Sequence, residues 1–226
     1  LTEVAYLPTG YCFNGEIDLI EAGGRVYTVQ SLAFEAAFFI ADVTDPAHPA
    51  PVGAWRWNVT AYTADVKAFR QGSRWYLALS LEPDNNIVCG VAVVEVTDPA
   101  QPKLVDLYSS KNTGSAAPWC DTHTAEISAD AEGNGAYIYV SNISTGDLRV
   151  LDVRDLARVR EINRYAVSNA DPDHFVHDTT IVGARVYVAY WSSGLIILDR
   201  AQVEAGQPIT PLNAPGSIAP EGLQIH

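Results

Sequence analysis

The fold of this chain is decided by the phrase Ile-Ala-Asp-Val-Thr-Asp-Pro-Ala-His-Pro at residues 40–49, an apolar run followed by an acid and a proline-flanked turn. The phrase returns as Val-Val-Glu-Val-Thr-Asp-Pro-Ala-Gln-Pro at residues 93–102, and weaker copies follow at residues 150–157 and 196–200. The acids of the four copies are spaced by 53, 57 and 47 residues: Asp42, Glu95, Asp152 and Asp199. A repeat of this length is typical of β-propeller blades.

Each acid is surrounded by the same order of strand patterns. An aromatic β-run such as Arg-Trp-Tyr-Leu-Ala-Leu at residues 74–79 precedes it, a glycine turn and another strand pattern come earlier, and a short strand follows the prolines. Proline supplies no N–H donor, so these prolines belong in turns and at sheet edges. The sequence therefore predicts an all-β β-propeller with four complete four-stranded blades, over residues 14–57, 62–109, 122–166 and 176–213. A β-sandwich or two small β domains is the alternative, but neither requires one four-strand phrase four times.

The two ends of the chain resemble pieces of further blades. Residues 1–8 have the pattern of a last strand, and residues 221–226 have that of the approach to a first strand. We expect these partial blades to make the chain part of a larger ring of about six to eight blades, within the usual size of propellers. A five-bladed ring with a composite last blade is the alternative, although that blade would lack its two middle strands.

The repeated phrase, together with Gly-Leu-Ile-Ile-Leu-Asp at residues 194–199, resembles the LVIVD-repeat family. The resemblance extends over essentially the whole chain and is clearest around Asp42 and Glu95, whereas residues 200–202 depart from the phrase. It implies a β-propeller on a secreted, periplasmic or cell-surface protein. The family has no agreed catalytic residues, so the resemblance implies no activity.

The charge balance narrows the classes of partner. The chain has 14 Lys and Arg against 27 Asp and Glu, a formal net charge of −13. Such an acidic surface argues against nucleic acid as the main partner. The longest apolar runs, such as residues 36–41, are far below the roughly 20 residues that cross a bilayer, so we expect no membrane insertion.

Common catalytic phrases are absent from the sequence. It contains no Gly-x-Ser-x-Gly elbow, no phosphate-binding loop and no His-Glu-x-x-His. Two carboxylate-rich loops, residues 84–86 and 171–174, offer oxygen ligands for Ca²⁺, but a complete twelve-residue calcium loop is missing. Plain solvated loops are the simpler interpretation of both.

The histidines are the best candidates for a metal site. His123 and His177 both stand four residues before an isoleucine of a first strand, and His226 has similar spacing in the last partial blade. Tyr62 and Glu16 are aligned with them in the second and first units. First strands line the channel of a propeller, so these side chains should converge at one mouth, where they could hold a transition metal, Zn, Cu or Fe. Hydrogen bonding to neighbouring blades and to channel water is the alternative.

The three cysteines are expected on one face of the fold. Cys89 belongs to the second predicted blade and Cys120 follows the exit from that blade, so we expect them within disulfide reach, with Cys12 unpaired. An oxidising compartment would permit the bond. Reduced, buried thiols are the alternative.

Two classes of function follow from these features. The first is an extracellular or cell-surface scaffold that binds a protein or glycan partner through one propeller face, as part of a larger surface complex. The second is a metal-dependent oxidoreductase or hydrolase with a His-lined site at the channel mouth. The sequence favours the non-enzymatic class, for which four tryptophans are the candidate contact residues: Trp55, Trp57, Trp119 and Trp191. Packing between blades is the alternative role of these indoles.

Overall fold

The computed structural model describes residues 2–57, 61–83, 88–167 and 174–218, and nearly all regular structure within these ranges is antiparallel β. The chain divides into two compact units, Leu1–Leu107 and Tyr108–His226. We call them the N-terminal unit and the C-terminal unit.

The first sheet of the N-terminal unit has four strands in the order β1-β2-β3-β4. They are β1 (Ile17–Ala22), β2 (Arg25–Leu32), β3 (Ala37–Asp42) and β4 (Ala50–Arg56). Consecutive strands pair because tight turns join them, and the first turn contains two glycines with positive φ. The sheet has the four-strand pattern that the sequence predicts.

The second sheet repeats this plan with an interrupted first strand. Its strands are β5 (Ala61–Tyr62), β6 (Val66–Gln71), β7 (Arg74–Pro83), β8 (Gly90–Glu95) and β9 (Lys103–Tyr108). Both β5 and β6 pair with the same edge of β7, so they are two halves of one first strand.

The third sheet belongs to the C-terminal unit and again has four strands in sequence order. They are β10 (Thr122–Ala129), β11 (Gly135–Asn142), β12 (Asp147–Asp152) and β13 (Arg160–Tyr165). Its middle strands are the most buried of the chain, since every residue of β12 is buried.

The fourth sheet has three strands within the described residues, β14 (Asp178–Val182), β15 (Arg185–Ala189) and β16 (Leu195–Asp199). The expected fourth strand is replaced by the short helix α1 (Arg200–Glu204) and a following coil. Here residues 200–202 lack the proline turn, and the Asp199 side chain instead accepts a hydrogen bond from the Gln202 N–H as an N-cap.

The coil after α1 covers the open edge of β16. The Asn213 side chain donates to the Leu195 carbonyl at 2.8 Å and accepts from the Ile197 N–H at 2.7 Å. The Leu212 N–H donates to the Ile197 carbonyl at 2.8 Å. These bonds satisfy part of the edge that a fourth strand would otherwise pair.

The expected partial blades have different outcomes. Residues 2–8 form no strand, and no sheet in the described ranges includes them. Residues 221–226 lie outside the described residues, so the second partial blade stays a prediction.

The repeated acid has a structural role that explains its presence in each copy. Asp42 Oδ1 accepts from the Thr44 N–H at 2.9 Å and Asp152 Oδ1 accepts from the Arg154 N–H at 3.2 Å, so the acid closes the turn that follows the third strand. In three sheets an arginine of the second strand forms an ion pair with the acid of the same sheet. The pairs are Arg25 with Asp42, Arg74 with Glu95 and Arg185 with Asp199.

The hydrogen bonds from Thr44 to Asp42 control the pKa of that carboxylate. They hold the pKa of Asp42 below its ordinary value, with the Arg25 guanidinium as a weaker cause in the same direction. Thr44→Val removes the hydroxyl, so we expect the pKa of Asp42 to rise, measured by NMR titration of its carboxyl carbon. Thr97→Val, at the equivalent turn of the second sheet, should leave Asp42 unchanged.

The direction of the shift also fixes the pH dependence of stability. Because the pKa is lowered by folding, the stabilisation is complete above the ordinary carboxyl value of about 3.9 and is lost as pH falls through the lower folded value. Thr44→Val should therefore reduce this acid-sensitive part of the stability. An Asp42 titration curve identical in wild type and variant would contradict the assignment.

Candidate functional site

Two histidines of the C-terminal unit lie together at the ends of neighbouring first strands. His123 lies in β10 and His177 directly precedes β14. Their Nε2 atoms are 3.3 Å apart and their ring centroids are 4.7 Å apart, with an interplanar angle of 67°. Both side chains are half-buried. The structure thus brings together the two histidines that the sequence aligns.

The backbone at each histidine is held in place. The register of β10 shifts between Thr122 and Thr124, so His123 is the extra residue of a β-bulge, a feature that re-aims a side chain. The His177 N–H donates to the Ala189 carbonyl at 2.8 Å, and Thr124 Oγ1 donates to the His177 carbonyl at 3.0 Å. The residue before β14 is therefore hydrogen-bonded both to its own sheet and to β10.

An aromatic wall lies beside the histidine pair. The Trp191 ring stacks on His177 at a centroid distance of 4.9 Å and on Phe175 at 4.7 Å. Trp191 has a φ of 38°, which is costly for a residue with a bulky side chain. Such strain persists only where surrounding contacts fix it, and it is common at functional sites.

The residue before Trp191 helps to fix that backbone. Tyr190 is buried, its hydroxyl donates to the Gly146 carbonyl, and the Val167 N–H donates to that hydroxyl at 3.1 Å. Burial raises the pKa of Tyr190 to about 12. The phenol therefore stays protonated at neutral pH and serves as a structural hydrogen-bond donor.

The strand registers do not align Tyr62 and Glu16 with the histidines. The strand pairings place Ile127 of the third sheet and Ile181 of the fourth at equivalent positions. Ala68 occupies this position in the second sheet, and Leu19 occupies it in the first. Counting back four residues places Ala64 and Gly15 at the histidine position: Tyr62 is two residues too early and Glu16 is one residue too late. The irregular first strand of the second sheet concealed this offset.

Small residues at that position have a clear cause in the N-terminal unit. A Cβ on Gly15 would lie 2.5 Å from the Ala64 carbonyl oxygen, and the Glu16 N–H donates to that same oxygen at 3.1 Å. In the C-terminal unit the corresponding carbonyl, that of His177, instead accepts from the Thr124 side chain at 3.0 Å.

Tyr62 and Glu16 belong to the N-terminal unit, so their part in a site with the two histidines stays a prediction. His226 and most of the two calcium-loop candidates fall in the undescribed ranges, so their roles stay predictions. Across the described ranges, no group of three or more His, Cys, Asp and Glu side chains is arranged to hold a metal. The described part of the site thus offers two imidazole ligands.

The N-terminal unit has an exposed aromatic cluster that the sequence analysis missed. Phe34 lies 5.1 Å from Phe13 and 5.2 Å from Tyr62 between ring centroids. Phe13 is 62% exposed and Phe34 is 54% exposed. The register gives the signal that was overlooked, since Phe13, Tyr62 and Phe175 each stand two residues before the histidine position.

Three of the four candidate tryptophans are structural. Trp55 stacks on the buried Phe38 at 5.7 Å, and Trp57 packs against Trp55 at 5.5 Å. Trp119 is 2% exposed and donates its indole N–H to Ser115 Oγ at 2.7 Å. Trp191, half-buried beside the histidines, is the candidate that stays open to a contact role.

The three cysteines are in two chemical states, one free thiol and two disulfide-bonded residues. Cys12 is exposed and is a free thiol. Cys89 and Cys120 are disulfide-bonded. Their pairing with each other stays a prediction, because one belongs to each unit.

Solved structures similar to this chain share its fold at low sequence identity. A periplasmic gluconolactonase of Pseudomonas aeruginosa, PpgL, has a TM-score of 0.59 at 12% identity, with 91% of this chain and 58% of that chain covered. The C-terminal domain of Pseudomonas aeruginosa PilY1 has a TM-score of 0.57 at 14% identity, with 85% and 50% covered. A thermostable family-43 glycoside hydrolase has a TM-score of 0.53 at 13% identity, with 90% and 74% covered.

These similarities show the fold and nothing about activity. The chain spans about half to three-fifths of the first two structures. A search of proteins with curated descriptions gives no match. Helices long and apolar enough to cross a membrane are absent from the ranges that the structure describes.

The family comparison agrees with the repeated phrase. Residues 176–199, which include His177, Trp191 and the acid Asp199, match the LVIVD repeat. This stretch comprises β14, β15 and β16. The protein therefore has an all-β β-propeller fold that contains an LVIVD repeat, as the sequence predicts.

Proposed function

We propose that this chain is an extracellular binding module that recognises a protein partner through the exposed aromatic cluster of Phe13, Phe34 and Tyr62. The exposure of Phe13 and Phe34 carries the proposal, because large aromatic side chains left open to solvent are a common mark of interaction surfaces. Aromatic residues are also enriched among the side chains that dominate binding energy.

The cluster is preorganised by the backbone beneath it. The Ala33 N–H donates to the Phe13 carbonyl at 3.2 Å, and the Thr63 N–H donates to the Ala33 carbonyl at 2.7 Å. Ala36, which ends this turn, has a φ of 45° and is held by hydrogen bonds to Ala61 and Trp57. A turn fixed in this way loses little entropy when a partner binds.

The ring geometry favours a protein over a glycan. Phe34 makes interplanar angles of 85° with Phe13 and 60° with Tyr62, so the cluster presents crossed edges and faces. Apolar side chains fit between such rings, whereas a sugar stacks best on one flat ring face. The net charge of −13 favours a partner whose apolar contact residues are flanked by basic ones.

Two observations support an extracellular compartment. Cys89 and Cys120 are disulfide-bonded, which is characteristic of oxidising compartments. The similar gluconolactonase structure is described as periplasmic. Secreted, periplasmic and cell-surface locations all satisfy this requirement.

The test is site-specific photo-crosslinking. With benzoylphenylalanine at position 34, we expect one discrete protein adduct from the extracellular fraction of the producing cells. The same probe at Leu104, which is 43% exposed in the same unit, should give none. Unlabelled wild type should compete, whereas Phe13→Ser with Phe34→Ser should not.

A purified partner makes the test quantitative. We expect Phe34→Ser to weaken its binding by about 10-fold or more, as loss of a dominant aromatic contact does. A glycan array that shows binding sensitive to Phe34→Ser, without any protein adduct, would replace the protein partner with a glycan. Equal adducts at positions 34 and 104 would contradict the proposal.

A further inference from the structure

We propose that His123 and His177 are two ligands of one divalent transition-metal site in the C-terminal unit. The proposal does not rest on the aromatic cluster of the N-terminal unit. It begins from the 3.3 Å separation of the two Nε2 atoms, which face each other across neighbouring strand ends.

That separation is the one that a tetrahedral metal requires of two imidazole ligands. Metal–nitrogen bonds of about 2.0–2.1 Å with an angle of about 109° place the two nitrogens about 3.3–3.4 Å apart. The observed 3.3 Å lies in this interval. The distance between the two nitrogens therefore needs little change for both to bind one ion.

The fold itself does not require histidine at this position. Gly15 and Ala64 occupy it in the two sheets of the N-terminal unit, and those sheets form with the same strand order. In the C-terminal unit a β-bulge re-aims His123, and Trp191 stacks on His177 with a strained backbone. Both features orient the imidazoles at some conformational cost, which is expected of a binding site.

The ligand chemistry selects the class of metal. Neutral imidazole suits Zn²⁺ and Cu²⁺, and affinity for nitrogen sites is higher for Cu²⁺ than for Zn²⁺. Two protein ligands leave further positions for water or an exogenous group. The net charge of −13 raises the local concentration of any cation near the surface.

The test is titration of the purified chain with CuCl₂ and with ZnCl₂ by calorimetry. We expect saturable binding of one equivalent at this pair, tighter for Cu²⁺. His123→Ala and His177→Ala should each weaken it by at least about 10-fold, since loss of even an outer-shell partner costs that much. His48→Ala is the matched control, because His48 is exposed and pairs with Asp45 in a distant turn of the sequence.

Spectroscopy gives a second readout at the same residues. Bound Cu²⁺ should quench the fluorescence of Trp191, whose ring is 4.9 Å from His177. Trp191→Phe should remove this quenching, which identifies Trp191 as its source, and His123→Ala or His177→Ala should reduce it at the same Cu²⁺ concentration. Nitrogen hyperfine structure in the Cu²⁺ EPR spectrum should correspond to two imidazoles and fall to one in either single variant.

Two results would overturn the proposal. One is the absence of binding heat for both cations, which would mean that the imidazoles have a structural role alone. The other is equal affinity in His48→Ala and the two site variants. His123→Gln and His177→Gln, checked by circular dichroism, replace any alanine variant that fails to fold. Phe34→Ser should bind metal normally, so failure here leaves the partner proposal intact.

Discussion

Replacing Arg149 with alanine is expected to destabilise the C-terminal unit by about 3–5 kcal/mol, because it leaves a buried charge without its partner. Arg149 and Asp147 are both fully buried, and Arg149 Nε donates to Asp147 Oδ1 at 2.8 Å. Arg149 Nη1 also lies 3.2 Å from both carboxylate oxygens of Glu161. Removal of the guanidinium would leave the Asp147 and Glu161 carboxylates without the cation between them, although Arg164 still pairs with Asp147 and the Thr145 hydroxyl still donates to it.

The measurement is chemical denaturation of wild type and variant, followed by circular dichroism. Arg185→Ala is the matched control, because Arg185 pairs with Asp199 at 2.9 Å in the same unit but both side chains are more than one-third exposed. Exposed pairs contribute about 0–1 kcal/mol, so the control should be nearly neutral. Equal losses in the two variants would show that burial does not amplify the Arg149 interaction.

The repeat made the strand plan predictable, because its acid marks the end of the third strand in every sheet. Asp42, Glu95, Asp152 and Asp199 are each the last residue of that strand. Asp42 and Asp152 close the following turn there, so local chemistry and fold agree in the first and third sheets. The last sheet was less predictable, because the residues after Asp199 form a helical cap instead of a proline turn.

The candidate sites show where sequence reasoning stops. His123 and His177 were found because both strands keep the same count from a partly buried isoleucine, Ile127 or Ile181. Tyr62 was misplaced because β5 and β6 are separated by an irregular stretch, and a shift of one or two residues changes which side chains correspond. Phe34 has no repeat signature, and only its turn geometry reveals that it is exposed beside Phe13.

Phe38→Ala is expected to destabilise the N-terminal unit by about 3–5 kcal/mol. Phe34→Ala should change the stability of the same unit little, because its phenylalanine is exposed instead of buried. Phe38 is fully buried in β3 and stacks on Trp55, so truncation leaves a cavity in the core. Phe34 is 54% exposed, and its ring packs beside those of Phe13 and Tyr62. Denaturant midpoints of the two variants measure the difference. A large loss of stability in Phe34→Ala would assign that ring to folding, and it would remove the reason to regard the exposed cluster as a partner-binding surface.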